Sequence, residues 1–95
     1  MLFEWEERKR QANLAKHHID FVDAKRIFDE PVFESIEVRS GEERTVALGR
    51  IEGTEIVVVY AVRGERRRII SARRASRNER QSYAKYLKDA GQGKD

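Results

Sequence analysis

Six arginines fall within twelve residues of this chain: Arg63, Arg66, Arg67, Arg68, Arg73 and Arg74. A guanidinium is always charged, and its planar fork of donors matches two oxygens of a phosphate. From Arg63 to Lys88 there are ten basic residues against two acidic, a net of +8. From Met1 to Val62 nine basic residues face thirteen acidic ones, a net of −4. The formal charge of +3 over 95 residues therefore conceals a strong dipole. The stretch Ile69-Ile70-Ser71-Ala72-Arg73-Arg74-Ala75-Ser76 runs an apolar strand into paired arginines and then into a helix-starting serine. A basic face at a strand end, with tyrosines just beyond, suits a polyanion, above all nucleic acid.

Other groups could assist. At helical spacing Lys9, Asn13, Lys16 and His17 share one face, offering two or three positive charges and an amide to a phosphate backbone. An ordinary solvated face has the same pattern. His17, beside Lys16 at a helix end, also suits the helix dipole, and His18 fits the left-handed residue that ends the helix. Alternation sets Arg66 and Arg68 opposite Arg67, so the three cannot serve one site, and protection of a strand edge accounts for them. Arg63 and Arg73 read as flanking a buried strand at the same end of a hairpin, and Arg74 reaches the surface beside Arg73. Glu79 could act as a base, although a capping role explains it. Tyr83 and Tyr86 could stack on bases, with core packing accounting for at least one of them. Trp5 reads as a core anchor. Adjacent histidines with no cysteine and no spaced carboxylates make no recognisable metal site. No cofactor is indicated: a Walker loop, GxGxxG, HExxH or catalytic-triad pattern is missing.

The elements that must position these groups follow from periodicity. Leu2-Phe3-Glu4-Trp5 alternates as a short strand, and Glu6-Glu7 opens a surface helix to about His17. Asp20 caps a second helix whose stripe is Phe21, Ala24, Ile27 and Phe28, stopped near Asp29 by Pro31. Strands follow over 32–38, 44–50, 56–62 and 66–73, separated by short turns. Ile56–Val62 is apolar enough to be covered on both faces. Ser76 and Glu79 form a capping box for a last helix through Tyr83, Tyr86 and Leu87. The predicted order is β-α-α-β-β-β-β-α, a two-layer α+β domain with an antiparallel sheet, spanning residues 1–90, with a frayed tail over 91–95. With no cysteine, no membrane span and no signal-like start, a cytoplasmic protein is expected.

Phe3-Glu4-Trp5, Lys9, Asn13, Lys16-His17, Phe21, Ala24, Phe28, Pro31, Gly49, Val57-Val58-Val59-Tyr60, Arg63, Arg68-Ile69-Ile70-Ser71-Ala72-Arg73-Arg74-Ala75, Glu79 and Tyr83 resemble the BrnT-type toxins in order and spacing. The resemblance covers residues 3 to 86. It departs from the usual pattern at Glu6, His18 and Ala61, where the family has aspartate, glycine and threonine. It implies a RelE-like fold and a ribonuclease toxin of a type II toxin-antitoxin system. Such toxins degrade RNA and halt translation. They are neutralised by a BrnA-like antitoxin with a ribbon-helix-helix domain, and reach operator DNA only through that complex.

On that reading the 2′-hydroxyl of RNA attacks its own phosphate without a metal. Arg63 and Arg73 stabilise the phosphate, Lys9 adds charge and His17 transfers a proton. Asn13, Lys16, Arg74 and Tyr83 bind the RNA. Two alternatives use the same basic face: a non-catalytic nucleic-acid-binding module, and an interaction protein that docks an acidic partner.

Overall fold

Val57 and Val58 are neighbours on one strand and both buried, yet they belong to separate cores. Successive side chains of a strand leave opposite faces, so the central sheet must be covered on both sides. The computed structural model describes residues 2–92. In chain order its elements are β1 (Leu2–Glu4), α1 (Glu7–His17), α2 (Phe21–Ala24), a 3-10 helix (Lys25–Asp29), β2 (Phe33–Arg39), β3 (Glu42–Ile51), β4 (Thr54–Arg63), β5 (Arg66–Arg74) and α3 (Arg77–Gln92). The predicted order is present, with the second helix tightening into a 3-10 turn before Pro31. The expected tail from Gly91 is instead the end of α3 as far as Gln92, and residues 93–95 lie outside the described residues.

Four strands form the expected antiparallel meander, with the sheet order β1-β5-β4-β3-β2. Two of its hairpins are two-residue turns, Ser40-Gly41 and Glu52-Gly53, all four residues at positive φ. That geometry twists as the flanking strands do. β1 departs from the expectation. It pairs parallel with β5, Leu2 opposite Arg66 and Glu4 opposite Arg68, so the sheet is mixed rather than antiparallel.

The two-layer expectation is corrected as well. On one face, Phe21, Ala24 and Ile27 from α2 and the 3-10 helix pack on Ala47, Ile56, Val58, Tyr60, Ile69 and Ala72, with Trp5 edge-on to Phe21. Gly49 allows this approach, because a Cβ there would lie 2.7 Å from that of Ile27. On the other face, α3 lays Tyr83 over Leu48 and Val57, with Tyr86 and Leu87 alongside. The Ser76–Glu79 capping box starts α3 as expected: the Ser76 hydroxyl accepts from the Glu79 N–H at 3.2 Å, and the Glu79 carboxylate accepts from the Ser76 N–H at 2.8 Å.

α1 is fastened to β5 by one amide. β1 pairs with β5 only at Arg66–Arg68, which leaves the edge open further along. There the Asn13 side chain donates to the Ala72 carbonyl at 2.8 Å and accepts from the Ala72 N–H at 3.1 Å. It thus takes the place of a neighbouring strand. A second donation, to the Ile19 carbonyl at 3.0 Å, ties down the α1–α2 connection. His18 ends α1 in the left-handed conformation, as the sequence indicates, at φ 60°.

Candidate functional site

Alternation along β5 breaks once. Tyr60 lies opposite Ile69, but Val59 lies opposite Ser71, so Ile70 is an extra residue bulged out of the pairing. A slip of one residue exchanges the faces of everything beyond it. Ile69 and Ala72 accordingly both point into the α2 core, while Ser71 and Arg73 fall on the opposite face, part of which α3 leaves open. The bulge is what brings Arg73 to the open face of the sheet.

Two depressions meet there. One, of about 310 Å³, lies between α1 and β5 and is lined by Lys9, Ala12, Asn13, Lys16, His17, Ile70 and Ser71. No carboxylate lines it, and among the described residues neither Lys9 nor Lys16 forms an ion pair. The second, of about 440 Å³, runs over the open sheet face past Ser35, Glu37, Arg39, Arg44, Ser71, Arg73 and Glu79. That volume is in the range of small-molecule sites. Ile70 and Ser71 line both, so the two halves of this groove adjoin at the sheet edge.

Within it Arg73 is fixed. Its two terminal nitrogens donate to the two oxygens of Glu79 at 2.7 and 2.8 Å, a bidentate pair. Those bonds, opposed by partial burial and helped by the Ser76 N–H, hold the Glu79 carboxyl down at about 2. A carboxylate that weakly basic is a poor general base near neutral pH, so its work is orienting Arg73 and capping α3.

The remaining site candidates divide. Lys9, Lys16 and His17 lie together as expected, with His17 half-buried. Arg63 does not join Arg73. Val57 is the partner of Arg73, and Arg63 stands six residues further along β4, roughly 20 Å away at ~3.3 Å per residue. Antiparallel strands put the C-terminal ends of β4 and β5 at opposite ends of the hairpin. At its own end Arg63 donates to Glu42 at 2.8 Å, and Arg44 donates to the same carboxylate at 3.1 Å. Arg63, followed by Arg44, holds the Glu42 carboxyl below its usual range.

Arg74 faces the other way, into a depression lined by His18, Asp20 and Asp23. Asn13 is 7% exposed, with its amide committed to backbone. Tyr83 is buried in the α3 core and donates its hydroxyl to the Pro31 carbonyl at 2.7 Å. Neither of these two side chains is presented to a ligand. Arg66 and Arg68 reach Glu4, while Arg67 stacks over Phe28 and Tyr60 on the opposite face, as alternation requires. The groove also contains Ser71, Arg39 and Arg44, which sequence reasoning left out. Ser71 was detectable as the one hydroxyl inside Ile69-Ile70-Ser71-Ala72, but its facing depended on the bulge.

No curated protein sequence matches the chain. A family model described as the ribonuclease toxin BrnT of type II toxin-antitoxin systems matches residues 5–79, well over half of the chain. The match contains α1, the whole meander and Glu79, the residues that build the groove. The chain belongs to the BrnT family of type II ribonuclease toxins.

Proposed function

We propose that this protein cleaves RNA at the groove shared by α1 and β5, without a metal ion. The supporting observation is the convergence of Lys9, Lys16, His17 and Arg73 on the adjoining halves of one groove around Ser71. In the reaction the 2′-oxygen forms a bond to the adjacent phosphorus and the bond to the 5′-oxygen breaks. A base takes the 2′ proton, an acid returns one to the departing 5′-oxygen, and the products are a 2′,3′-cyclic phosphate and a free 5′-hydroxyl. His17 is the proton-transfer group. Arg73 binds the phosphate, where its fork meets the charge that grows in the transition state, and Lys9 and Lys16 add field from α1. Arg63 lies too far along the sheet to touch the same phosphate.

In the cell this cleavage inhibits translation, in the cytoplasm, from a RelE-like scaffold. A BrnA-like antitoxin with a ribbon-helix-helix domain neutralises it, and the pair together binds operator DNA. The test is cleavage by the purified chain in EDTA, on naked RNA and on translating ribosomes, with Arg73→Ala of confirmed fold as the control. Cleavage that disappears in the control supports the reading. RNA bound and released by salt but never cut, in either format, would replace it with a non-catalytic binding module.

A further inference from the structure

The groove has a centre that none of these roles uses. Its two halves share only Ile70 and Ser71, and Ser71 is the polar one of the pair. The bulge turns Ser71 to the groove face, two residues before Arg73 and thus about 7 Å from it along the strand. Side chains that far apart on one face, one of them long, can converge on a single phosphate. Across the edge, Lys9 and His17 line the same half of the groove as Ser71. Among the described residues the Ser71 hydroxyl has no hydrogen-bond partner, and it is no buried orphan either, because the residue is partly exposed. A hydroxyl in an otherwise apolar stretch, turned outward by a bulge and left free, is a donor awaiting an acceptor.

We propose that Ser71 donates this hydrogen bond to a non-bridging oxygen of the phosphate held by Arg73, making it a substrate-contacting residue of the site. The inference rests on the ribonuclease reading for its substrate and adds a contact which that reading does not contain. Arg73 grips the phosphate from one side, Ser71 fixes its rotation, and the 2′-oxygen is thereby set in line for attack.

The experiment compares wild type, Ser71→Ala and Ser71→Thr on two probes. The first is a cleavable RNA oligonucleotide carrying a single phosphorothioate of either configuration at the scissile position. The second is the same RNA made non-cleavable by a 2′-O-methyl group there. Ser71→Ala should slow cleavage by ~10–100-fold and lose the wild-type preference between the two phosphorothioates, while Ser71→Thr, which keeps the hydroxyl, retains both. Binding of the non-cleavable RNA should weaken in the alanine variant alone. Ser71→Ala that cleaves and binds within about twofold of wild type overturns the contact while leaving the ribonuclease reading intact. Slow cleavage by both variants with the preference preserved also overturns it, because that is the signature of disturbed packing. If wild type cuts nothing, the ribonuclease reading fails, and weaker binding by the alanine variant still supports the contact.

Discussion

Arg73 presents a guanidinium whose direction is already set, since Glu79 occupies one edge of its fork. Its Nη1 also donates to the Arg74 carbonyl at 3.3 Å, which leaves Nε and the second Nη2 proton to the groove. Arg73→Ala should lower RNA cleavage by ~10²–10³-fold. Arg73→Lys should recover little of this, because an ammonium cannot grip Glu79 and a phosphate in the same plane. Both variants should stay folded, the partly exposed pair being worth no more than about 1 kcal/mol. Single-turnover cleavage beside a denaturation curve checks both statements. The same pair sets an acid limit. Glu79 has its carboxyl lowered from 4.5 to about 2. A lowered carboxyl contributes stability that is fully present above about pH 4.5 and is lost as the pH falls towards 2. Thermal unfolding followed across that window should show the loss, and Glu79→Gln should remove that part of the slope. An unchanged slope in the variant would assign the acid sensitivity elsewhere.

At the scale of elements, α1 depends on Asn13 more than on apolar packing, since Asn13 is its only buried residue. Asn13→Ala would leave the N–H and carbonyl of Ala72 unpaired in a buried place. The expected cost is about 2–3 kcal/mol, read by chemical denaturation, and the α1 cations should lose their position over Ser71 with it. A cost below about 0.5 kcal/mol would mean that water replaces the amide easily. This element also shows where reading the sequence succeeds and stops. Helical spacing was enough to put Lys9, Asn13, Lys16 and His17 on one face, because that face is a local property of a 3.6-residue repeat. It could not tell that Asn13 points into a strand edge 59 residues away. The meander, the capping box and the left-handed His18 were legible for the same local reason. The parallel β1 was not, since pairing with β5 is a choice among distant edges. Nor were the facings of Ser71 and Arg73, because one unpaired residue in β5 carries no signature of its own among Ile69, Ile70 and Ser71.

Over the whole molecule, the basic segment 63–88 does not form a single positive face. Alternation and the bulge scatter it: Arg67 and Arg74 to one side, Arg73 to the other, Arg63 to the far end. Many of its charges are matched by glutamates of the acidic half, Glu4 with Arg66 and Arg68, Glu34 with Arg67 and Glu42 with Arg63. Six of the ten remain, and of these Arg73 alone lines the groove. With Lys9, Lys16 and Arg73 as the phosphate contacts, the logarithm of the binding constant should fall with the logarithm of salt at a slope near −2, about −0.7 per contact on a single strand. A slope near −6 in a fluorescence titration would mean that the ion pairs open and the whole basic segment takes part. The joining of the first strand to the last has a different consequence, for the order of events during synthesis. Glu4 meets Arg68 across 64 residues and Asn13 meets Ala72 across 59. A chain emerging from the ribosome therefore holds β1, and the side of α1 that faces β5, without a partner until nearly all of the meander has been made. Closing such distant contacts is slow. The groove is thus completed late, and a nascent or truncated chain ending before β5 lacks the strand that joins its two halves.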